Sequence, residues 1–256
     1  MDASTHKRQG PGSSDDVSVA RVRGELRYWL ELARLMVDRR FLFPRRAEAG
    51  LPVLLIPGFM AGDVSMTALA GWLRRRGHEV HGSGMLFNAG CAGRELSRLE
   101  KKLTAFDGPA IVIGQSRGGT LARALAAGHP ESVAGLVTLG SPVLDPLAVS
   151  ASVMRTVRSL ARLGDLGMPG VFSSDCADGP CCADFYSRLR EPLEPSLLAL
   201  AVYSRTDGIV DYRACLDPWA TCVEIEGSHC GMAVNPATYP QLEILLRRTE
   251  EAACRQ

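Results

Sequence analysis

The sequence predicts an α/β protein whose mostly parallel sheet is covered by helices on both faces. Short apolar runs of the length of a strand alternate along the chain with stretches of helical periodicity, which is the pattern of such sheets. The runs are apolar at consecutive positions, as expected for strands that are buried on both faces. With 46% hydrophobic and 22% charged residues, the 256-residue chain is predicted to fold around one core.

The predicted strands and helices follow one another in a regular order. The strands are LPVLLIPGF (51–59), HEVHGSG (78–84), AIVIG (110–114), VAGLVTLG (133–140), LLALAVYS (197–204) and CVEIEG (222–227). Helices are predicted at 65–76, 92–106, 121–128 and 237–250. The segment 143–195, between the fourth and fifth strands, is far longer than the ~2–6 residues of an ordinary connection. It contains the amphipathic stretch SVMRTVRSLARLG, and we predict that it forms a cap over the functional site.

The chain before the first strand divides into two segments. Residues 1–20 are polar and rich in glycine and serine, so we expect a disordered tail. They lack the ~7–15-residue apolar core of a secretory signal, which predicts a cytoplasmic protein. Residues 21–45 have the periodicity of an amphipathic helix. We expect this helix to pack on the α/β domain, 46–256; the alternatives are a position on a membrane surface or over a substrate cleft.

The charge balance argues against one class of partner. The formal net charge is +1, from 29 basic and 28 acidic residues, which provides no general electrostatic attraction to nucleic acid. No window approaches the roughly 18 consecutive apolar residues that span a bilayer. We therefore predict no nucleic-acid partner and no membrane-spanning segment.

A serine follows the third strand in the stretch GQSRG, 114–118. This stretch fits the pattern G-x-S-x-G between a strand and a helix, where the serine is exposed on a tight turn as a nucleophile. The two glycines allow close approach of neighbouring backbones at that turn. We predict that Ser116 is the nucleophile. The alternative is an ordinary loop in which Ser116 caps the helix.

A serine hydroxyl needs a base within hydrogen-bond reach, and the chain has five histidines. His6 is in the tail, His78 and His81 belong to the second strand, and His129 ends the helix that begins at the serine. His229 remains, in the turn GSHCG after the last strand. Because such sheets gather their functional groups at the carboxyl ends of the strands, His229 is the predicted base. The alternative is a loop histidine with a structural hydrogen bond.

The base must be oriented by an acid, and the expected order along the chain is serine, acid, histidine. Asp207 follows the fifth strand, and Gly208 after it allows a turn. We predict that Asp207 is this acid. Asp211 is the alternative, although its position also suits a helix cap or a surface group.

Acyl transfer also needs backbone amides that point at the developing oxyanion. The predicted donors are the amide of Arg117, directly after the nucleophile, and the amide of Phe59 in the loop after the first strand. Met60 is the alternative to Phe59 as a donor. The side chains of Phe59 and Met60 are expected to line the substrate pocket, and that of Arg117 to face solvent or to hold the cap.

Taken together, these motifs resemble those of the α/β-hydrolase superfamily and, within it, of bacterial triacylglycerol lipases and related carboxylesterases. The resemblance covers residues 50–245 and depends on Pro57-Gly58-Phe59, Gly114-Gln115-Ser116-Arg117-Gly118-Gly119, Leu139-Gly140-Ser141-Pro142, Asp207-Gly208-Ile209-Val210 and Gly227-Ser228-His229. It implies the α/β-hydrolase fold and a serine hydrolase whose catalytic triad is Ser116, Asp207 and His229.

The expected function is hydrolysis of a carboxylic ester through an acyl-enzyme on Ser116, without a metal ion or an organic cofactor. An apolar small-molecule or lipid ester is the predicted substrate, because the cap, Phe59, Met60 and the N-terminal helix offer apolar surface. Peripheral contact of that helix with a membrane is compatible with a lipid substrate. An acyltransferase or thioesterase with the same triad is the alternative among enzymes, and a non-catalytic binding module is the alternative outside them.

Eight cysteines allow three interpretations. Disulfides are one, and Cys215 with Cys222 is the best single candidate pair. Metal binding is another, but there is no CxxC pair and only His229 lies nearby, so we predict no metal site. Reduced, half-buried thiols are the expectation for most of the eight.

Overall fold

The computed structural model describes residues 25–47, 50–177 and 179–254, so the predicted tail, 1–20, lies outside the described residues. Six strands form one sheet: β1 Pro52–Ile56, β2 Glu79–Gly82, β3 Ala110–Gln115, β4 Val133–Leu139, β5 Leu198–Tyr203 and β6 Thr221–Glu224. They lie in the order β2-β1-β3-β4-β5-β6, and every neighbouring pair is parallel. The predicted α/β architecture is therefore confirmed.

Helices cover both faces of this sheet. In the described part of the chain they are α1 Tyr28–Leu35, α2 Arg39–Leu42, α3 Thr67–Arg76, α4 Ala92–Leu103, α5 Arg117–Gly128, α6 Ala151–Asp165, α7 Ala183–Arg190 and α8 Thr238–Ala253. Val53 and Leu55 of β1 pack with α3 and α8, whereas Leu54 and Ile56 pack with α4, α5 and α7. Successive residues of one strand thus enter two hydrophobic cores, which explains why the strands are apolar at consecutive positions.

The segment predicted as a single helix over 21–45 is described from residue 25 onward and contains two helices. A short 3-10 turn, Glu25–Arg27, leads into α1, and a new helix starts after Asp38. The Asp38 side chain accepts hydrogen bonds from the amides of Arg40 and Phe41, at 2.8 and 3.2 Å. An aspartate at this position favours a fresh start because its carboxylate satisfies the first amides of the following helix. Leu35 and Phe41 join the core on the α8 side, so the segment packs on the domain.

The long connection between β4 and β5 contains two helices of different character. Helix α6 covers the stretch that the sequence predicts as helical, and none of its residues is buried. Helix α7 is not predicted by the sequence, because it follows an irregular stretch rich in cysteine and glycine. It packs through Phe185 and Leu189 into the core on the α5 face.

A buried arginine fastens α7 to the domain. The Arg123 guanidinium of α5 lies 3.0 Å from the carboxylate of Asp217, and both side chains are buried. The same guanidinium donates hydrogen bonds to the carbonyls of Arg188 and Glu191, at 3.2 and 2.6 Å. The C-terminal end of α7 is therefore connected to the interior through a buried cation that also pairs with a carboxylate.

Cys215 and Cys222, the best candidate pair for a disulfide, are not bonded to each other, and all eight cysteines are free thiols. Cys215 is buried, whereas Cys222 is exposed and its thiol contacts the carbonyl of Asp217 at 3.4 Å. The structure therefore contradicts the candidate pair and agrees with the expectation of reduced thiols.

The arrangement of the strands places the functional site at one edge of the sheet. All strands are parallel, so the loops after β1, β3, β5 and β6 leave the sheet at the same edge. After β1 the chain crosses to β2 on one side of the sheet, and after β3 it crosses to β4 on the other side. In open α/β sheets, ligands bind in the crevice between two such strands, at their carboxyl ends. None of the described helices is long and apolar enough to cross a membrane.

Candidate active site

Ser116 occupies the tight turn between β3 and α5. Its backbone has φ 51° and ψ −124°, a region that non-glycine residues rarely adopt, so the turn is strained. Gly114 and Gly118 make the turn possible: a Cβ on Gly114 would collide with the Gly118 carbonyl, and one on Gly118 with the Ile56 carbonyl. The Ser116 amide donates to the carbonyl of Leu139, 2.8 Å away, which ties the turn to β4.

Asp207 and His229 meet beyond the carboxyl ends of β5 and β6. Oδ2 of Asp207 lies 2.7 Å from Nδ1 of His229, and both side chains are buried. Oδ1 accepts hydrogen bonds from the amides of Ile209 and Val210, both at 2.8 Å. Because these amides fix the carboxylate, Asp207 can orient the imidazole so that Nδ1 faces the acid and Nε2 faces away from it.

The alternative acid and the other described histidines have different surroundings. Asp211 caps the 3-10 helix Tyr212–Cys215 by accepting a hydrogen bond from the amide of Arg213 at 3.0 Å, and it also forms an ion pair with that side chain. Of the described histidines, His229 alone lines the cavity that contains Ser116. The others lie near carboxylates elsewhere: His78 near Glu250, His81 near Glu79 and His129 near Glu100.

Ser116 and His229 line one cavity with a volume of about 870 Å³. The cap forms one wall of this cavity. Val153, Val157 and Ala161 of α6 line it, and their spacing of four residues shows that one face of the helix is turned toward it. The lining is mainly apolar and includes a smaller number of polar residues, Ser116 and His229 among them, which is the usual composition of a small-molecule site.

The loop after β1 supplies backbone groups beside Ser116. The amide of Met60 donates to the carbonyl of Asn88, 3.1 Å away, so it is already engaged. For the Phe59 amide, no acceptor is found among the residues that the structure describes. The Arg117 amide is the first of α5, where no intrahelical acceptor exists. The two predicted donors, the amides of Phe59 and Arg117, thus have no acceptor among the described residues, and the side chains of Phe59 and Met60 both line the cavity.

The Arg117 side chain holds this loop and the cap together. Its guanidinium donates to the side-chain oxygen of Asn88 and to the carbonyl of Gly90. It also lies over the ring of Phe172 in the cap, 5.9 Å from the ring centre. Asn88 in turn donates through Nδ2 to the carbonyl of Pro57, at 2.7 Å. Of the two expectations for Arg117, solvent exposure or a contact with the cap, the structure has the second.

Comparisons with known proteins agree on the fold. A family model described as alpha/beta hydrolase fold matches residues 103–198. The mature lipase BlEst2 of Bacillus licheniformis superposes with a TM-score of 0.58 at 16% identity, over 80% of this chain and 95% of that one. The chain has the α/β-hydrolase fold. No curated protein sequence matches it.

Two further structures with the α/β-hydrolase fold superpose on 80% of this chain. A thermophilic esterase from Thermogutta terrifontis has a TM-score of 0.54 at 18% identity, with 92% of its chain covered. A soluble variant of monoglyceride lipase from Saccharomyces cerevisiae has a TM-score of 0.51 at 14% identity, with 90% of its chain covered. At these identities the similarity concerns the fold.

Gln115 connects the Ser116 turn of this α/β-hydrolase fold to the loop that contains His229. Its Nε2 donates to the carbonyls of His229 and Cys230, at 3.1 and 3.2 Å. The pattern G-x-S-x-G does not identify Gln115, because it accepts any residue at that position. An amide side chain between a buried strand and the serine is the only sequence signal for this role.

Glu31 of α1 supports the same loop from the other side and was also missed. It is only 3% exposed. Its Oε1 accepts a hydrogen bond from the Ser228 amide at 2.8 Å, and its Oε2 accepts one from the Ser228 hydroxyl at 2.6 Å. Ser228 directly precedes His229, so the N-terminal segment helps to position the histidine. A charged residue in an amphipathic helix normally faces solvent, and the sequence alone gave no reason to bury this one.

Proposed function

We propose that this protein is a serine hydrolase that cleaves carboxylic esters through an acyl-enzyme on Ser116. The observation that supports this most directly is the 2.7 Å contact of Asp207 with Nδ1 of His229, next to a cavity that Ser116 also lines. The strained turn at Ser116 and the α/β-hydrolase fold agree with it.

In the proposed reaction, Oγ of Ser116 attacks the ester carbonyl carbon while Nε2 of His229 takes the hydroxyl proton. Negative charge develops on the carbonyl oxygen, to which the amides of Phe59 and Arg117 donate hydrogen bonds. Asp207 stabilises the imidazolium. His229 then returns the proton to the leaving alcohol, and the acyl-enzyme is formed. A water molecule that is activated by His229 releases the acid and restores Ser116.

Covalent labelling tests the assignment of the nucleophile. A fluorophosphonate should add one phosphonyl group to the wild-type protein, as measured by mass spectrometry, and none to Ser116→Ala. Ser141→Ala is a suitable control, because Ser141 is buried nearby and its hydroxyl already donates to the Leu139 carbonyl at 3.2 Å. Equal labelling of wild type and Ser116→Ala would refute the proposal.

We propose an apolar ester as the substrate, because the cavity is mainly apolar and acidic side chains are absent from its described lining. With p-nitrophenyl esters of increasing acyl length, kcat/KM should rise by up to about fourfold for each methylene that becomes buried, until the cavity is full. A strict preference for charged or peptide substrates would contradict this. Product analysis in the presence of a competing alcohol separates hydrolysis from acyl transfer, since transfer yields a new ester.

We also propose that the N-terminal segment contacts lipid surfaces. Trp29, Val37 and Phe43 are 71%, 75% and 78% exposed, although each is large and apolar. Sedimentation with phosphatidylcholine vesicles should retain the wild-type protein, and the double variant Trp29→Ser and Phe43→Ser should bind several-fold less. Unchanged vesicle binding by the variant would argue against this contact.

A further inference from the structure

Four cysteine thiols come together where the cap meets the domain. Cys91 directly precedes α4, whereas Cys176, Cys181 and Cys182 belong to the connection between β4 and β5. All four Sγ atoms lie within 4.8 Å of one another. The separation is 3.5 Å for Cys91–Cys182, 3.7 Å for Cys176–Cys181 and 3.9 Å for Cys181–Cys182. Three of the four side chains are buried, and Cys181 is exposed.

These separations match four sulfur atoms around one metal ion. A Zn–S bond of about 2.3 Å gives a tetrahedron whose sulfur atoms are about 3.8 Å apart. Two sulfurs joined in a disulfide would be only about 2.0 Å apart. An iron–sulfur cluster holds its cysteine sulfurs farther from one another than a single ion does. The geometry therefore favours a single ion with soft ligands and tetrahedral coordination, which is typical of zinc.

Two of the four thiols lie at positions where helix ends favour negatively charged sulfur. Cys91 and Cys182 are the N-terminal caps of α4 and α7, where helix dipoles and free amides favour anions. The half-buried Arg117 guanidinium is close enough for both sulfurs to act on it electrostatically, so a cation accompanies the cluster.

The two segments also approach each other more closely than ordinary packing allows. Cys181 lies directly against the first turn of α4, and a Cβ at Gly93 would collide with the Cys181 carbonyl. The absence of a side chain at Gly93 is what allows the cysteine segment of the cap to reach Cys91. The cluster is therefore assembled by the fold from distant parts of the chain, and a search for CxxC pairs in the sequence does not detect it.

We propose that Cys91, Cys176, Cys181 and Cys182 bind one zinc ion as a closed structural site that joins the cap to the domain. Binding converts four thiols into four zinc-bound thiolates and releases their protons to solvent. With four protein ligands, no coordination position is left for water or substrate, so the ion has a structural role.

Such an ion would also support the oxyanion loop, a consequence that rests on the proposed function. Cys91 follows Gly90, whose carbonyl accepts a hydrogen bond from Arg117. Arg117 also bonds to Asn88, and Asn88 holds the carbonyl of Pro57. Fixing Cys91 would thus restrict the segment that keeps the Phe59 amide beside Ser116.

Metal content is the first test. The full chain, purified under reducing conditions, should contain about one zinc ion per molecule by mass spectrometry of the elements. Replacement of zinc by Co²⁺ should give the strong visible absorption of tetrahedral cobalt with thiolate ligands. Reduced wild-type protein that takes up neither zinc nor cobalt would overturn the proposal, and so would the finding that the four thiols form two disulfides.

Matched cysteine variants locate the site. Cys91→Ser and Cys182→Ser should each reduce bound zinc to about a tenth or less of the wild-type content. Cys222→Ser and Cys254→Ser are the controls, because both residues are exposed thiols outside the cluster, and they should retain it. If the cluster variants do not fold, a chelator added to the wild type should release zinc and make four further thiols reactive. Release of zinc without these thiols would contradict the assignment.

Activity separates the metal site from the proposed function. Zinc-depleted wild type should hydrolyse p-nitrophenyl esters several-fold more slowly than the zinc-loaded protein, and added zinc should restore the rate. If zinc binds at one equivalent but fluorophosphonate labels Ser116 in neither form, the hydrolase proposal fails while the metal site stands. If Ser116 is labelled but no metal binds, only the metal proposal fails.

Discussion

At the scale of single residues, the candidate site contains buried carboxylates in which both oxygen atoms have hydrogen-bond partners. Asp207 uses one carboxylate oxygen for His229 and the other for two backbone amides. Glu31 uses both of its oxygens for Ser228. If the loop moved away, a buried carboxylate would lose its hydrogen-bond partners and its charge would remain uncompensated. Such carboxylates therefore stabilise the loop in its observed position.

Asp207→Asn should remove most of the activity with little effect on the fold. The oxygen of asparagine can still accept hydrogen bonds from the Ile209 and Val210 amides, but the NH₂ group then faces His229. If the oxygen faces His229 instead, the NH₂ group faces the two amides. The imidazole then loses its orientation and its charge partner, and kcat should fall by about 10⁴-fold in an ester hydrolysis assay.

Asp211→Asn is the matched control for this change. Asp211 caps a 3-10 helix at the surface, so kcat should stay within about twofold of the wild type. A large fall for Asp211→Asn with none for Asp207→Asn would show that the acid is wrongly assigned.

Glu31→Gln should lower both stability and kcat, because glutamine cannot accept from the amide and the hydroxyl of Ser228 with two charged oxygens. The free energy of unfolding in urea should fall by about 1–3 kcal/mol. Glu226→Gln is the control, since Glu226 is exposed and pairs with Arg27 at the surface; it should change stability by less than about 1 kcal/mol. If Glu31→Gln lowers stability but leaves kcat unchanged, Glu31 is structural and does not position His229.

At the scale of helices and strands, a buried ionic cluster connects α8 to the end of α3 and to the residue before β2. Glu250 lies 3.3 Å from the Arg76 guanidinium and 3.2 Å from Nε2 of His78. Burial alone would raise the pKa of Glu250, but the close contact with Nε2 of His78 and the charge of Arg76 lower it below its ordinary value.

This lowered pKa predicts a pH-dependent contribution to stability. A carboxyl with a lower pKa in the folded than in the unfolded state stabilises the fold above its unfolded pKa, and this contribution is lost as the pH falls through the folded pKa. Near neutral pH, Glu250→Gln should lower the free energy of unfolding by about 1–3 kcal/mol, and the difference should shrink below about pH 4. Urea unfolding at both pH values measures this, with the exposed Glu251→Gln as control. A difference that grows in acid would contradict the sign of the shift.

The elements that the sequence predicts well are those whose local pattern decides their structure. β3 and β4 are apolar at nearly every position and were recognised for that reason, and the GQSRG stretch identifies the turn at Ser116. β6 ends earlier than predicted, at Glu224, where the strand is the exposed edge of the sheet. Helix α7 was missed because its apolar pair, Phe185 and Leu189, lies in an irregular context.

The parts of the site that the sequence did not reveal depend on contacts between distant segments. Glu31 meets Ser228, Gln115 meets the carbonyl of His229, and Asn88 meets Arg117 only once the fold is complete. A single sequence contains no periodicity that would pair these positions. The cysteine cluster is missed for the same reason, since Cys91 lies far along the chain from its three neighbours.

At the scale of the whole molecule, the cap and the domain enclose the cavity together, so the size of the cap side chains should set the acyl length. Val157→Trp would fill part of the cavity beneath α6. We expect kcat/KM for long-chain p-nitrophenyl esters to fall at least about tenfold, with little change for acetate esters. Ser159→Trp, on an exposed position of the same helix, is the control. An unaltered chain-length profile for Val157→Trp would show that acyl chains bind elsewhere.

The Arg123 connection anchors one of the two cap helices to the interior. Helix α7 is held through the carbonyls of Arg188 and Glu191, whereas α6 has no buried residue. If the entrance widens to admit a substrate, we therefore expect α6 to move and α7 to stay in place. Helix α6 begins directly after Ser150, whose amide donates to the carbonyl of Ile209 at 2.7 Å. The amide of Ile209 donates in turn to Asp207, so a displacement of α6 would be transmitted through one loop to the proposed catalytic acid.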